Sequence, residues 1–284
     1  MPLSINTNIA SMTAQRSFMN SNAALETAFE RLSTGKRINS SVDDAAGLAI
    51  GKELESRVSG LNQAIRNTND GISIIQIAEG ALDEGTTILQ RLRDLAVQAS
   101  NDSLSSDERG YLKTEADALI DAFDDIANAA KWNGSSVFGT TFVIQTGADS
   151  TDEVSVAITA GGPGVFLDVT AADDTAGTVA NAKDDVVFTS QANAQTAISN
   201  IDGAMADLAD KRADLGALQS QLESTVRNLA NVAENTAAAA GRIMDTDYAA
   251  ETANLTKAQI LQQAATSILA QANAQPQSVL ALLQ

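Results

Sequence analysis

Apolar residues recur along most of the chain at alternating spacings of three and four. Leu54, Val58, Leu61, Ile65, Thr68, Ile72, Ile75, Leu82, Leu89, Leu92, Ala96 and Ala99 follow one stripe with a period of about 3.5, which over several heptads predicts a coiled-coil or bundle helix. Glu79 interrupts it, and Gly80 and Gly85 are expected to weaken it. A second stripe runs Leu112, Ala116, Leu119, Phe123, Ile126, Ala130, behind a capping-box spacing of Ser105 and Glu108. A third runs Ile198, Ile201, Met205, Leu208, Leu215, Leu222, Val226, Leu229, Thr236, Ala240, Ile243. Thr34-Gly35 predicts a helix stop, and Ser41 with Asp44 a start. The three helices are expected to share one core as an antiparallel bundle. A helix from Leu54 to Ala99 would extend about 69 Å, whereas a small compact domain is about 30 Å across, so an elongated bundle is predicted.

Residues 139–190 change character. TTFVIQTG, DEVSVAI and GVFLDVT, with turn signals at Asn133-Gly134 and around 161–164, predict short β-hairpins on the flank of the bundle. The ends differ again, because residues 1–15 and 258–284 carry no charged side chain. Ile5, Ile9, Met12 and Met19 form a stripe at the front. Leu261, Ala265, Ile268 and Ala272 form one at the back, followed by Val279, Leu280, Leu282 and Leu283. Short isolated helices are marginal in water. The two ends are therefore expected to pair with each other and then with other molecules. The fold class is mainly α, with a small β-hairpin region and paired terminal helices.

Composition removes whole classes of chemistry. The chain has 284 residues, no His and no Cys, and a net charge of −18. Zinc sites, thiol nucleophiles and His-based triads are unavailable. The acidic balance argues against nucleic acid, whose phosphates need clustered Lys and Arg. Gln and Asn throughout 258–284 argue against a membrane span. Acidic pairs at 124–125, 173–174 and 184–185 lack calcium-loop spacing, so neither an enzyme nor a cofactor site is expected. No basic start followed by an apolar run opens the chain, so a cleaved leader is not expected.

Certain runs are more specific. SINTN, ERLSTGKRINSSVDDAAGLAI (30–50), RNTNDGISIIQIAEGAL (66–82), LQRLRDLAVQ (89–98) and KWNG (131–134) closely resemble bacterial flagellin. So do DLGALQSQL (214–222) and 242–284, which holds DTDYAAE, KAQILQQA and SILAQANAQPQSVLALL. The resemblance covers about 1–138 and 193–284. It implies a subunit exported without a cleaved signal, which self-assembles into the extracellular flagellar filament for swimming. Residues 1–43 and 244–284 would pair as an inner tube domain, and 44–243 would form the core domain, with 139–190 as a short variable segment. The form is minimal, without large outer domains. Implied partners are other flagellin subunits, the export apparatus, a flagellin-specific chaperone, and the cap and hook–filament junction proteins. The flagellin-specific Toll-like receptor of animal hosts is a further one.

Ile5, Ile9, Met12, Leu261, Ile268, Leu280 and Leu283 are the candidate assembly residues. Asp43 and Asp44 have two open readings: carboxylates complementing a helix start, or a contact to a neighbouring subunit's Lys36 or Arg37. By resemblance, Gln90, Arg91, Leu95 and Glu115 form the receptor-recognition set, on a surface that also suits contacts between subunits. A hook–filament junction protein and a soluble secreted binding protein are the rival readings, with an enzyme third.

Overall fold

The computed structural model describes residues 8–158 and 186–282, with side chains through Ala274. The elements run α1 (Ile9–Thr34), α2 (Ala45–Ala99), α3 (Ser106–Ala129), β1 (Lys131–Trp132), β2 (Ser135–Ser136), β3 (Thr141–Gln145), β4 (Glu153–Ala157), α4 (Gln191–Met244) and α5 (Tyr248–Leu282). They make two compact units, Met1–Val58 with Glu234–Gln284, and Ser59–Ala233. The division between them falls within α2 and within α4. The first turns of α2 belong with the chain ends because Gly51 leaves room for Met244, and Gly47 for Ile38.

In the unit 59–233, α2 presents two interleaved heptad rows. Leu61, Thr68, Ile75, Leu82, Leu89 and Ala96 form one, and Ala64, Gly71, Ala78, Gly85, Leu92 and Ala99 the other; every member is buried. The helix and its buried row continue through Gly85. Gly85 makes room for the Phe123 ring of α3, and Gly71 for Ile144 of β3. Glu79, the apparent interruption, faces Arg212 of α4 at 3.9 Å, and Asp83 pairs with the same guanidinium at 3.0 Å. Thr68 is fully buried but satisfied, donating to the Ala64 carbonyl at 2.7 Å. Ala116, Ile120 and Phe123 complete the core from α3, and Ala194, Ile201, Leu208, Leu215 and Leu222 from α4. The last five recur every seven residues. Arg91–Glu115 and Arg93–Asp202 tie α2 to α3 and α4, both antiparallel to it.

Helix ends follow local chemistry. Ser105 and Glu108 form a reciprocal capping box at α3. Gly35, with φ 70°, closes α1 by donating to Arg31. The start of α2 differs from expectation: Asp44 itself caps it, accepting from Gly47 N–H at 2.9 Å, and Ser41 has no part. Asn133 (φ 48°) and Gly134 (φ 85°) make the tight turn of the β1–β2 hairpin. β3 and β4 pair in register from Thr141–Ala157 to Gln145–Glu153, and Phe142, Ile144, Val154 and Val156 pack onto the helical core. The run GVFLDVT lies outside the described residues.

Candidate assembly surface

In the unit made by the chain ends, α1 and α5 lie antiparallel. Asn8 Nδ2 donates to the Ala272 carbonyl at 2.7 Å, Ser11 Oγ to Asn273 Oδ1 at 2.8 Å, and Gln262 Nε2 to Asn22 Oδ1 at 2.5 Å. The seam between them is alanine. Ala14 and Ala28 of α1 are buried, as are Ala258, Ala265 and Ala272 of α5, which recur every seventh residue behind Glu251. Small side chains let the two backbones approach and leave no room in the seam for larger ones.

The larger apolar residues therefore point outward. Ile9 is 70% exposed, Met12 63%, Leu261 48% and Ile268 55%, with Met19 and Ile260 also exposed. The sequence pattern puts Ile9, Met12 and Met19 in the front stripe and Leu261 and Ile268 in the back one, and among the described members of these stripes only Ala265 and Ala272 are buried. Ile9, Ala10, Thr13, Ser17, Leu261, Ala264 and Ile268 line a mainly apolar groove of about 640 Å³ along the pair. Ile5 and Leu283 lie outside the described residues, as does the Leu280 side chain.

Asp43 and Asp44 both have partners in their own loop. The Asp43 carboxylate accepts from the backbone N–H groups of Ser40 and Asn39, at 2.9 and 3.1 Å, and from Ser40 Oγ. The two backbone N–H groups hold its pKa below the ordinary 3.8. Lys36 and Arg37, the cations considered for contacts between copies, are also engaged: Lys36 Nζ pairs with Glu55 at 2.6 Å, and Arg37 donates to the Ile243 carbonyl at 2.8 Å. The structure divides the receptor-recognition set. Gln90, Arg91 and Glu115 are exposed, with Arg91 paired to Glu115 at 2.5 Å. Leu95 is 1% exposed and packs in the bundle core. Among the described residues, no group of His, Cys, Asp and Glu could hold a metal, and no helix is long and apolar enough to cross a membrane.

A heptad-built bundle joined to an alanine-seamed helix pair with its large apolar side chains outward has the form of a subunit that packs against copies of itself. Residues 5–142 match the bacterial flagellin N-terminal helical region, and 198–283 the bacterial flagellin C-terminal helical region. The chain is 42% identical over 284 residues to the flagellin of Halalkalibacterium halodurans, covering 99% of each. It is 35% identical to flagellin A of Vibrio cholerae over an alignment of 379 residues covering both chains fully. A solved structure from Vibrio parahaemolyticus, described as a putative flagellar hook-associated protein, shares the fold. Its TM-score is 0.60 at 18% identity, over 72% of this chain and 100% of that one.

The chain belongs to the bacterial flagellins, in a minimal form without large outer domains. It is a structural subunit, exported from the cell, that self-assembles into the extracellular flagellar filament for swimming.

Proposed function

We infer that polymerisation runs through the outward face of the α1–α5 pair, with Ile9, Met12, Leu261 and Ile268 as its contacts. Ile5, Leu280 and Leu283 extend the same stripes in sequence. The observation that carries this reading is the division of labour in the pair: alanines close the seam within one chain, and the large apolar side chains stay exposed beside the groove. Exposed apolar patches on a soluble chain mark interaction sites. In a polymer each such face meets the next copy, and 1–43 with 244–284 then form the inner tube inside a core domain of 44–243. The local hydrogen bonds of Asp43 and Asp44 favour a loop- and helix-capping role for both carboxylates.

Family membership supports the export apparatus, a flagellin-specific chaperone, and the cap and hook–filament junction proteins as further partners. For the animal receptor, the exposed Gln90, Arg91 and Glu115 are the candidate contacts, with Leu95 anchoring α2, which carries the first two.

Seeded growth tests the assembly face. Purified monomer added to filament fragments, followed by light scattering and electron microscopy, is expected to give long filaments. A chain lacking 258–284 is expected to give none. Ile9→Ser and Ile268→Ser are expected to slow growth at least tenfold with monomer helicity unchanged, since each of these side chains is exposed and loses about 2 kcal/mol per buried copy contact. Parent growth rates in both point variants would refute the assignment.

A further inference from the structure

With no cysteine in the chain, sulfur is confined to five methionines. Met1 lies outside the described residues, and the other four fall into two kinds. Met244 is 3% exposed, beside Gly51, and Met205 is partly buried against the bundle core. Met12 and Met19 stand open at 63% and 60%. These two are seven residues apart in α1, in step with Ile5 in the sequence, and so share one face of the helix. Met12 lies about 160° round the helix from Ala14, and Met19 about 180° from Ala28, at 3.6 residues per turn. Both alanines are buried, so the two thioethers point away from the seam with α5.

A flexible, unbranched thioether adapts well to a repeated contact between copies, and it is also the oxidisable apolar side chain. Its sulfur lone pair attacks one oxygen of a peroxide, the O–O bond breaks and water leaves. The sulfur is oxidised to a sulfoxide and the peroxide is reduced. An S=O dipole now stands where an apolar group stood, and burying it without a donor is costly. Met12 is one helical turn from Ile9, itself 70% exposed, so the change falls within the apolar face of α1. Access does not depend on the helix pair: with α1 apart from α5, the same side chains stay open to solvent. In a polymer the next copy covers them. The vulnerability therefore belongs to the subunit before assembly.

We propose that Met12 and Met19 form an oxidation site on the unassembled subunit: a peroxide converts both thioethers to sulfoxides, and the modified chain no longer adds to the filament. The loss of growth rests on the assembly reading above; the selective oxidation of these two methionines over Met244 rests on burial alone.

The test treats full-length monomer with hydrogen peroxide, removes the peroxide, and adds the protein to untreated filament fragments. Peptide mass mapping is expected to find sulfoxide at Met12 and Met19 with Met244 unmodified, and growth is expected to fall at least tenfold. The same treatment of finished filaments is expected to leave both thioethers reduced. A chain carrying Met12→Leu with Met19→Leu keeps apolar side chains of similar volume that peroxide does not oxidise. It is expected to grow like the parent before treatment and to keep that rate after it. Equal loss of growth in this variant under peroxide overturns the proposal, because the damage then lies elsewhere. Oxidised parent that grows at the untreated rate, while Ile9→Ser grows slowly, overturns this proposal alone. Undiminished growth of both the oxidised parent and Ile9→Ser overturns the assembly reading with it.

Discussion

The Phe123 ring of α3 occupies the space that a side chain on Gly85 of α2 would fill. Gly85 sits in the buried heptad row between Ala78 and Leu92, so its cost in helix propensity is offset by aromatic packing between helices. Gly80, five residues earlier, is not in a buried row, and nothing lies within 4 Å of where its Cβ would stand. Gly80→Ala is expected to stabilise the bundle by about 0.5–1 kcal/mol through helix propensity. Gly85→Ala meets the ring and is expected to destabilise it by about 1–2 kcal/mol, overpacking outweighing propensity. Urea midpoints of the two variants should move in opposite directions.

Acid sensitivity should come from capping carboxylates. The Ser105 backbone N–H and hydroxyl lower the Glu108 pKa from 4.5, and the Lys36 and Lys52 ammonium groups lower that of Glu55. A carboxyl whose folded pKa is depressed contributes stability that is fully present above its unfolded value and is lost as pH falls through the folded one. Glu108→Ala should therefore lower the melting temperature at pH 7, and the gap to the parent should close as pH falls below 4.5. With no His in the chain, the melting temperature of the parent should be nearly flat from about pH 6 to 8. A gap unchanged down to about pH 2 would contradict the capping role.

The α1–α5 pair should open far more easily than the bundle in the free monomer. Its seam buries alanines, while Ile74, Leu82, Leu89 and Leu92 anchor α2. Amides in 11–28 and 252–272 are expected to exchange at least about tenfold faster than those in 74–95, reflecting fewer buried apolar contacts. Assembly should slow them, and equal protection in the monomer would count against the weak seam. Hydrogen exchange read by mass spectrometry makes the comparison.

Arg91 pairs with Glu115 across α2 and α3, both half-exposed. Surface pairs of this kind contribute about 0–1 kcal/mol, so Arg91→Asp should leave the urea midpoint nearly unchanged while weakening recognition of the monomer by the flagellin-specific receptor. Leu95→Ala, by contrast, should cost about 2–5 kcal/mol as a core truncation. Receptor signalling from Arg91→Asp at parent strength would remove this residue from the contact set.

The sequence determined the helices, because heptad spacing and capping chemistry act within a few residues of each other. The stop at Gly35 and the capping box at Ser105 are both legible there, and so is the family, carried by long runs at both ends. It shows which residues at the ends are apolar, but not which of them face inward. The front stripe with Ile9 and Met12, and the back stripe with Ala265 and Ile268, each read as one surface until a partner helix is placed against it. Tertiary packing made that choice: antiparallel helices close enough to hydrogen-bond across Ser11 and Asn273 admit alanine between them and turn isoleucine outward. Packing likewise made Gly85 a seat for Phe123 and put Leu95 in the core, since burial depends on what stands opposite, and the residues opposite come from distant parts of the chain.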